Sequence, residues 1–208
     1  MKKTAPAVIK GQHYNWEVVS PLVLKVLGSK SKVFIVNKVG DAKREKYIYK
    51  VATKGNESHG IALHNERLCL NTLTKNLKEM DGSELIVKLI DWVGNEDETS
   101  ALILNYWPGS TTLMNCMESK DLDQSTIPLI FYQLVKAVSI CHKQGFAHLD
   151  LKPDNIIINA DKSKIMLIDF GNSQKIQGGR VSKEQRMPSP LYCDDVLVRK
   201  SESWVEVE

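Results

Sequence analysis

Two short stretches hold the side chains best able to do chemistry in this sequence: His148-Leu149-Asp150-Leu151-Lys152-Pro153-Asp154-Asn155 and, soon after, Asp169-Phe170-Gly171. Carboxylates and a side-chain amide offer hard oxygen atoms. Magnesium prefers such ligands and is usually held by one or two carboxylates plus the phosphates of a substrate. A lysine two positions after an aspartate, beside an incoming phosphate, can neutralise charge as a phosphoryl group transfers. Taken singly these residues carry little weight, because an aspartate before a proline turn is usually a cap or turn former. Their joint spacing around a common element is what points to phosphate chemistry.

That element is a hairpin. Residues 155–159 and 164–168 are short, isoleucine-rich runs, too short for helices, and read as a buried pair of strands with one polar group at each end. Ahead of it, Ile127, Ile130, Phe131, Leu134, Val138 and Cys141 recur at three and four residues, which predicts a helix stopped near Gly145. Before Pro108-Gly109 the pattern is strand-rich. Residues 21–26, 32–39 and 45–52 read as antiparallel strands joined by turns at Gly28 and Gly40-Asp41. Residues 56–74 carry Ala62, Leu63, Cys69, Leu70 and Leu73 on one stripe of a helix, and strands follow at 87–93 and 100–105. Lys43, Arg44, Glu45 and Lys46 read as a solvated hairpin tip, and Trp92 and Trp107 as packing residues.

With these parts in this order, the sequence resembles the protein kinase family. HLDLKPDN is similar to the catalytic loop HRDLxxxN, and DFG is present intact. Tyr47-Ile48-Tyr49-Lys50-Val51 resembles the VAIK strand, and Glu66 sits where the family has its ion-pair glutamate. The resemblance implies an α+β, bilobal fold: an antiparallel-sheet N-lobe with one helix over about 14–105, a hinge over about 105–109, and a truncated helical C-lobe over about 110–208. It implies ATP and Mg2+ as cofactors. Asp150 would accept the proton of a substrate hydroxyl, with Lys152 beside the transferring phosphate. Asn155 and Asp169 would hold magnesium, and Lys50, steadied by Glu66, would contact the phosphates of ATP. Leu104 would be the gatekeeper, and Asn105, Tyr106 and Trp107 the hinge whose backbone binds adenine. Leu70, Leu89, His148 and Phe170 would form the spine that couples the lobes. An ordinary edge-strand lysine is the plain alternative for Lys50, and a surface salt bridge for Glu66.

The sequence departs from the family at three places. The glycine-rich loop is reduced to Gly28-Ser29-Lys30-Ser31-Lys32-Val33, with one glycine where the family has three, so fewer backbone amides can approach phosphates and weak ATP affinity is expected. Leu149 replaces the arginine that binds a phosphate on the activation loop, so activity is expected not to depend on phosphorylation of Ser173, Ser182 or Ser189. The sequence ends early for the family: Ser189-Pro190-Leu191-Tyr192 is not followed by APE, and Glu202 stands near the end where the next helix would begin.

Composition is compatible with this and excludes other classes. Of 208 residues, 42% are hydrophobic and 25% charged, which argues against disorder. A net charge of +3 is too small to predict a nucleic-acid or membrane partner. Cys69, Cys116, Cys141 and Cys193 are widely separated, which suggests neither a zinc knuckle nor a disulfide framework. No signal peptide or membrane span is expected, and the expected location is the cytoplasm, host cytoplasm if the source is a virus or a bacterial pathogen. The expected activity is that of a Ser/Thr protein kinase, since the lysine of DLKPDN differs from the DLAARN of tyrosine kinases. The alternatives are a kinase-like module that binds a partner with weak or no catalysis, and a small-molecule kinase, which the Lys-Pro pair and the intact DFG disfavour. The expected partner is a protein substrate or regulator, with a partner or a dimer covering the shortened C-lobe.

Overall fold

The computed structural model describes residues 8–21, 32–53, 55–77, 80–182 and 204–206. Most of the strand predicted over 21–26, residues 28–31 of the loop that begins at Gly28, Ser189, Cys193 and Glu202 lie outside the described residues. The first half of the chain forms one antiparallel sheet from β1 (Val8–Lys10), β2 (Asn15–Pro21), β3 (Lys32–Lys38), β4 (Lys46–Val51), β5 (Leu89–Gly94) and β6 (Thr99–Asn105), in the order β1-β2-β3-β4-β6-β5. Helix α1 (Glu57–Asn76) joins β4 to β5.

Strand alternation assigns the two faces of this sheet. Tyr47 and Tyr49 of β4 pack with Trp16, Val36 and Ile103, while Ile48 and Ala52 pack on the opposite side with Leu102 and Leu104. Lys50 has the parity of Ile48, so the two-residue period carries it to the face covered by α1. Its register opposite Val33 of β3 and Leu102 of β6 places it in the middle of the sheet.

The Asn56 side chain accepts from the His59 N–H and so caps α1, with Glu57 in the first turn and Lys75 in the last complementing the helix dipole. His59, Leu63, Glu66, Leu70 and Leu73 form the buried stripe at three- and four-residue spacing. Glu66 is the carboxylate in that stripe. Arg67 anchors the same helix to the β5–β6 turn: its guanidinium lies 4.0 Å from the centre of the Trp92 ring, and Nη2 donates to the Glu96 carbonyl at 2.7 Å.

Strands β1 and β2 were not expected from the sequence, although Val8-Ile9 and Trp16-Glu17-Val18-Val19 flank a turn at Gly11. What fixes them is a carboxylate far along the chain. A bulge in β5 between Leu89 and Asp91 accompanies the burial of Asp91, which is 1% exposed. Its oxygens accept from the N–H groups of Gln12, His13 and Tyr14 at 3.1 Å and from Nε1 of Trp16 at 2.8 Å. A Cβ on Gly11 would stand 2.1 Å from Asp91 Oδ2, so this position has no room for a side chain.

Beyond the hinge come β7 (Thr111–Thr112), α2 (Leu113–Glu118), α3 (Ile127–Lys143), β8 (Phe146–Ala147), β9 (Ile156–Ile158), β10 (Ile165–Leu167), β11 (Gln174–Lys175), β12 (Arg180–Ser182) and β13 (Trp204–Glu206). The expected isoleucine hairpin is β9 and β10, paired antiparallel with Ile157 opposite Met166 and fully buried. Gln133 of α3 clamps it, donating to the Ser163 carbonyl and accepting from the Ile165 N–H. Helix α3 ends just before Gly145, whose φ of 78° is the left-handed stop a glycine supplies. Its buried stripe is Ile130, Ala137, Ile140 and Cys141, with Leu134 partly buried; Ile127 and Phe131, expected on the same stripe, are 50% and 65% exposed, Phe131 because it sits one residue, about 100°, around the helix from Ile130.

Replacing Asp91 by alanine is expected to lower the unfolding free energy by about 3 kcal/mol, since buried donors that include the Trp16 indole lose a charged acceptor. Denaturant titration measures this. A loss below about 1 kcal/mol would mean that the carboxylate does not hold residues 11–16 in place.

Candidate active site

Three elements bring one buried ion cluster together. Lys50 Nζ, from mid-β4, lies 2.7 Å from Glu66 Oε2 of α1 and 2.9 Å from Asp169 Oδ1, which follows β10. Glu66 is 1% exposed, Lys50 14% and Asp169 43% at the side chain, so the cluster opens to solvent on the Asp169 side. The second Glu66 oxygen accepts from the Phe170 N–H at 3.4 Å. Burial alone would lower the basicity of Lys50, but the carboxylates of Asp169 and Glu66 outweigh it and raise its pKa above the ordinary lysine value. Burial would likewise raise Asp169, yet the Lys50 ammonium beside it holds its carboxyl below the usual range, so it is an anion at neutral pH.

A second cluster sits on the loop between β8 and β9. Asn155 Nδ2 donates to the backbone carbonyl of Asp150 at 2.8 Å and to its Oδ2 at 2.9 Å, and Lys152 Nζ is 2.9 Å from the same oxygen. Asp150 is 8% exposed and Asn155 2%. Because the Asn155 nitrogen is committed to Asp150, the amide oxygen is the atom it can offer to a cation. With a carboxylate oxygen of Asp169 that is a hard, oxygen-only donor set. It fits magnesium, which completes its shell with phosphate oxygens and water.

His148 joins the clusters. Its Nδ1 accepts from the Asp150 N–H at 3.2 Å, which leaves the proton on Nε2 to donate to the Ile168 carbonyl at 3.0 Å. The ring stands edge-on to Phe170, centroids 4.7 Å apart. Phe170 and Leu70 are completely buried in the same core, with Leu89 packed against it, so the four expected spine residues lie in one packed region. Two non-glycine residues here adopt left-handed backbone, Leu149 at φ 60° and Asp169 at φ 62°. Such conformations cost about 1–3 kcal/mol each and persist where surrounding contacts enforce them.

At the hinge, Asn105 is a structural tie. Its Oδ1 accepts from the Lys88 N–H at 2.7 Å, its Nδ2 donates to Met166 Sδ at 3.4 Å, and its own N–H donates to the Lys88 carbonyl at 3.2 Å. Trp107 packs partly buried against the main core, its carbonyl accepting from the Ser110 N–H at 3.2 Å. Of the expected site residues, Lys50, Glu66 and Asp169 thus form one group, and Asp150, Lys152 and Asn155 another. Asn105 and Trp107 lie at the hinge, and Gly28 is outside the described residues.

A family model described as the protein kinase domain matches residues 25–203. The chain belongs to the protein kinase family. Curated relatives include serine/threonine-protein kinase 1 of African swine fever virus (isolate Tick/Malawi/Lil 20-1/1983), 28% identical over 149 residues, covering 72% of this chain and 44% of that protein. The counterpart in isolate Tick/South Africa/Pretoriuskop Pr4/1996 is 28% identical over 153 residues, 74% of this chain and 46% of the relative. Maternal embryonic leucine zipper kinase of Xenopus laevis is 38% identical over 78 residues, 38% of this chain and 12% of the relative. The chain thus spans less than half the length of the curated relatives it matches.

Sequence reasoning missed one residue of this kinase site. Asn65, beside Glu66, donates from Nδ2 to the carbonyls of Gly171 at 3.0 Å and Ser173 at 2.7 Å. No motif marks it. The available signal was its place on α1 three residues after Ala62, on the side that meets the DFG turn.

The 2%-exposed His148 has a pKa lowered chiefly by burial, against the opposing pull of the Ile168 carbonyl. Its contribution to stability is complete above the unfolded value of about 6.5 and is lost as pH falls below it, because there the unfolded chain binds the extra proton. Thermal melts from pH 8 to pH 5 are expected to fall more steeply for wild type than for His148→Phe. Parallel curves would contradict the neutral, buried assignment.

Proposed function

We propose that this chain is a Ser/Thr protein kinase that transfers the γ-phosphoryl group of ATP with magnesium. The observation that carries the reading is the joint arrangement of Lys50 bonded to both Glu66 and Asp169 with Asp150 bonded to Asn155 and Lys152. Lys152 after Asp150, and the names of the viral relatives, support Ser/Thr specificity. In this reading Asp150, held by Asn155 and Lys152, takes the proton of a substrate hydroxyl as that oxygen bonds to the γ-phosphorus and the bond to ADP breaks. Lys152 offsets charge on the transferring group, and Lys50 orients the ATP phosphates. Asn155 and Asp169 would hold magnesium, which supplies charge neutralisation between the phosphates. Leu149 offers no cation to a phosphate, so turnover does not require a phosphorylated activation loop. Cys69, Cys116 and Cys141 are free thiols, which supports action in the reducing cytoplasm.

A second reading rests on one observation. Ile127, Leu129, Phe131, Tyr132 and Val135 of α3 are all exposed, an apolar row that supports a protein-binding role with weak catalysis.

Labelled ATP with magnesium and a generic Ser/Thr substrate separates the two. Asp150→Ala and Lys50→Met are each expected to reduce turnover by about 100-fold or more. Nucleotide binding by a wild type that shows no turnover, alone or with candidate partners, would favour the binding role. Alanine at Ser182 or Ser189 is expected to leave turnover within about 3-fold of wild type, well short of the loss a missing order-giving phosphate causes. Abolished turnover in a folded variant of this kind would refute independence from phosphorylation.

A further inference from the structure

Helix α1 touches the segment after β10 through more than its glutamate. Gly171 lies against it so closely that a Cβ there would stand 3.2 Å from Ala62 Cβ and 3.5 Å from the Ala62 carbonyl. One turn along, Asn65 Nδ2 bridges the carbonyls of Gly171 and Ser173. Both partners are carbonyl oxygens, so the contacting atom must be the amide nitrogen; a flipped side chain would set three oxygens against one another. The same short segment is closed internally by the Ser173 N–H donating to the Phe170 carbonyl at 3.1 Å, and Ser173 Oγ donates to the His148 carbonyl at 3.4 Å. Asp169, at its start, is held in left-handed backbone, which needs neighbours that enforce it. Glu66 meets the front of the turn through the Phe170 N–H, and Asn65 meets its back through two carbonyls.

We infer that Asn65 is a positioning residue for this site: its amide latches the backbone of 171–173 to α1 and thereby keeps Asp169 turned toward Lys50 and the cation position. The inference rests on the kinase reading above and adds to it the device that orders this segment without a phosphate. A latch built from a neutral amide and two carbonyls is always engaged while α1 is docked, so the position of α1 and the orientation of Asp169 change together.

The test uses the full chain with Asn65→Ala and Asn65→Asp. Aspartate keeps the volume but offers no donor, and sets a carboxylate against two carbonyl oxygens. Hydrogen exchange in the absence of nucleotide is expected to rise about 10-fold or more across 169–174 in both variants, with no change in β9 and β10. Turnover should fall about 10- to 100-fold in kcat, with the KM for the phosphate acceptor unchanged and the magnesium dependence of ADP binding weakened. Unchanged exchange at 169–174, exchange raised equally in β9 and β10, or raised local exchange with wild-type kcat and magnesium dependence would each overturn the inference. If wild type itself fails to turn over, the kinase reading fails on its own. Exchange and magnesium-dependent ADP binding then still decide whether Asn65 holds Asp169.

Discussion

A lysine taken out of water needs anions, and Lys50 receives two. That demand connects a sheet strand, a helix and the turn after a hairpin, three pieces remote in sequence. Buried ion pairs add little net stability, because desolvation cancels much of the attraction, but leaving one member unpartnered is costly. The cluster therefore acts as a positional constraint. Removing α1 from the sheet would carry Glu66 away from Lys50, and rotating Asp169 away would likewise leave the ammonium with one partner. Burial pushes the Glu66 carboxyl up against the opposing pull of Lys50, whereas Asp169 is held ionised by the same ammonium. The negative charge of Asp169 faces the side where that residue is exposed, and it suits the arrival of a divalent cation.

Much of this arrangement was legible in the sequence because it depends on periodicity. Alternation along β4 sets the face of Lys50, helical spacing sets the face of Glu66, and two isoleucine runs set the hairpin that separates Asp150 from Asp169. The strands before residue 21 were not legible, since what makes them pair is Asp91, seventy-odd residues away, and nothing local announces a carboxylate buried by a bulge. Phe131 was misplaced for a related reason: the three-four pattern on α3 is apolar over more than one face, and only the packing partners choose among them. Asn65 escaped because its partners are backbone carbonyls, which leave no trace in residue type.

Conformational energy is spent where chemistry is expected. Leu149 and Asp169, neither a glycine, are in left-handed backbone on either side of the hairpin, and the N–H of the residue after each is bonded, Asp150 to the His148 ring and Phe170 to Glu66 of α1. His148 links the two strained points through the Asp150 amide and the Ile168 carbonyl. Its tautomer is thus set by two backbone groups.

Asn105 ties the end of the sheet to the hairpin of the helical half. It holds Lys88, just before β5, and Met166 of β10, while the adjacent Val87 N–H donates to the Leu167 carbonyl. The covalent passage through Asn105 is thus doubled by a hydrogen-bonded seam at the same place, so the sheet and the hairpin are joined there by more than the chain alone.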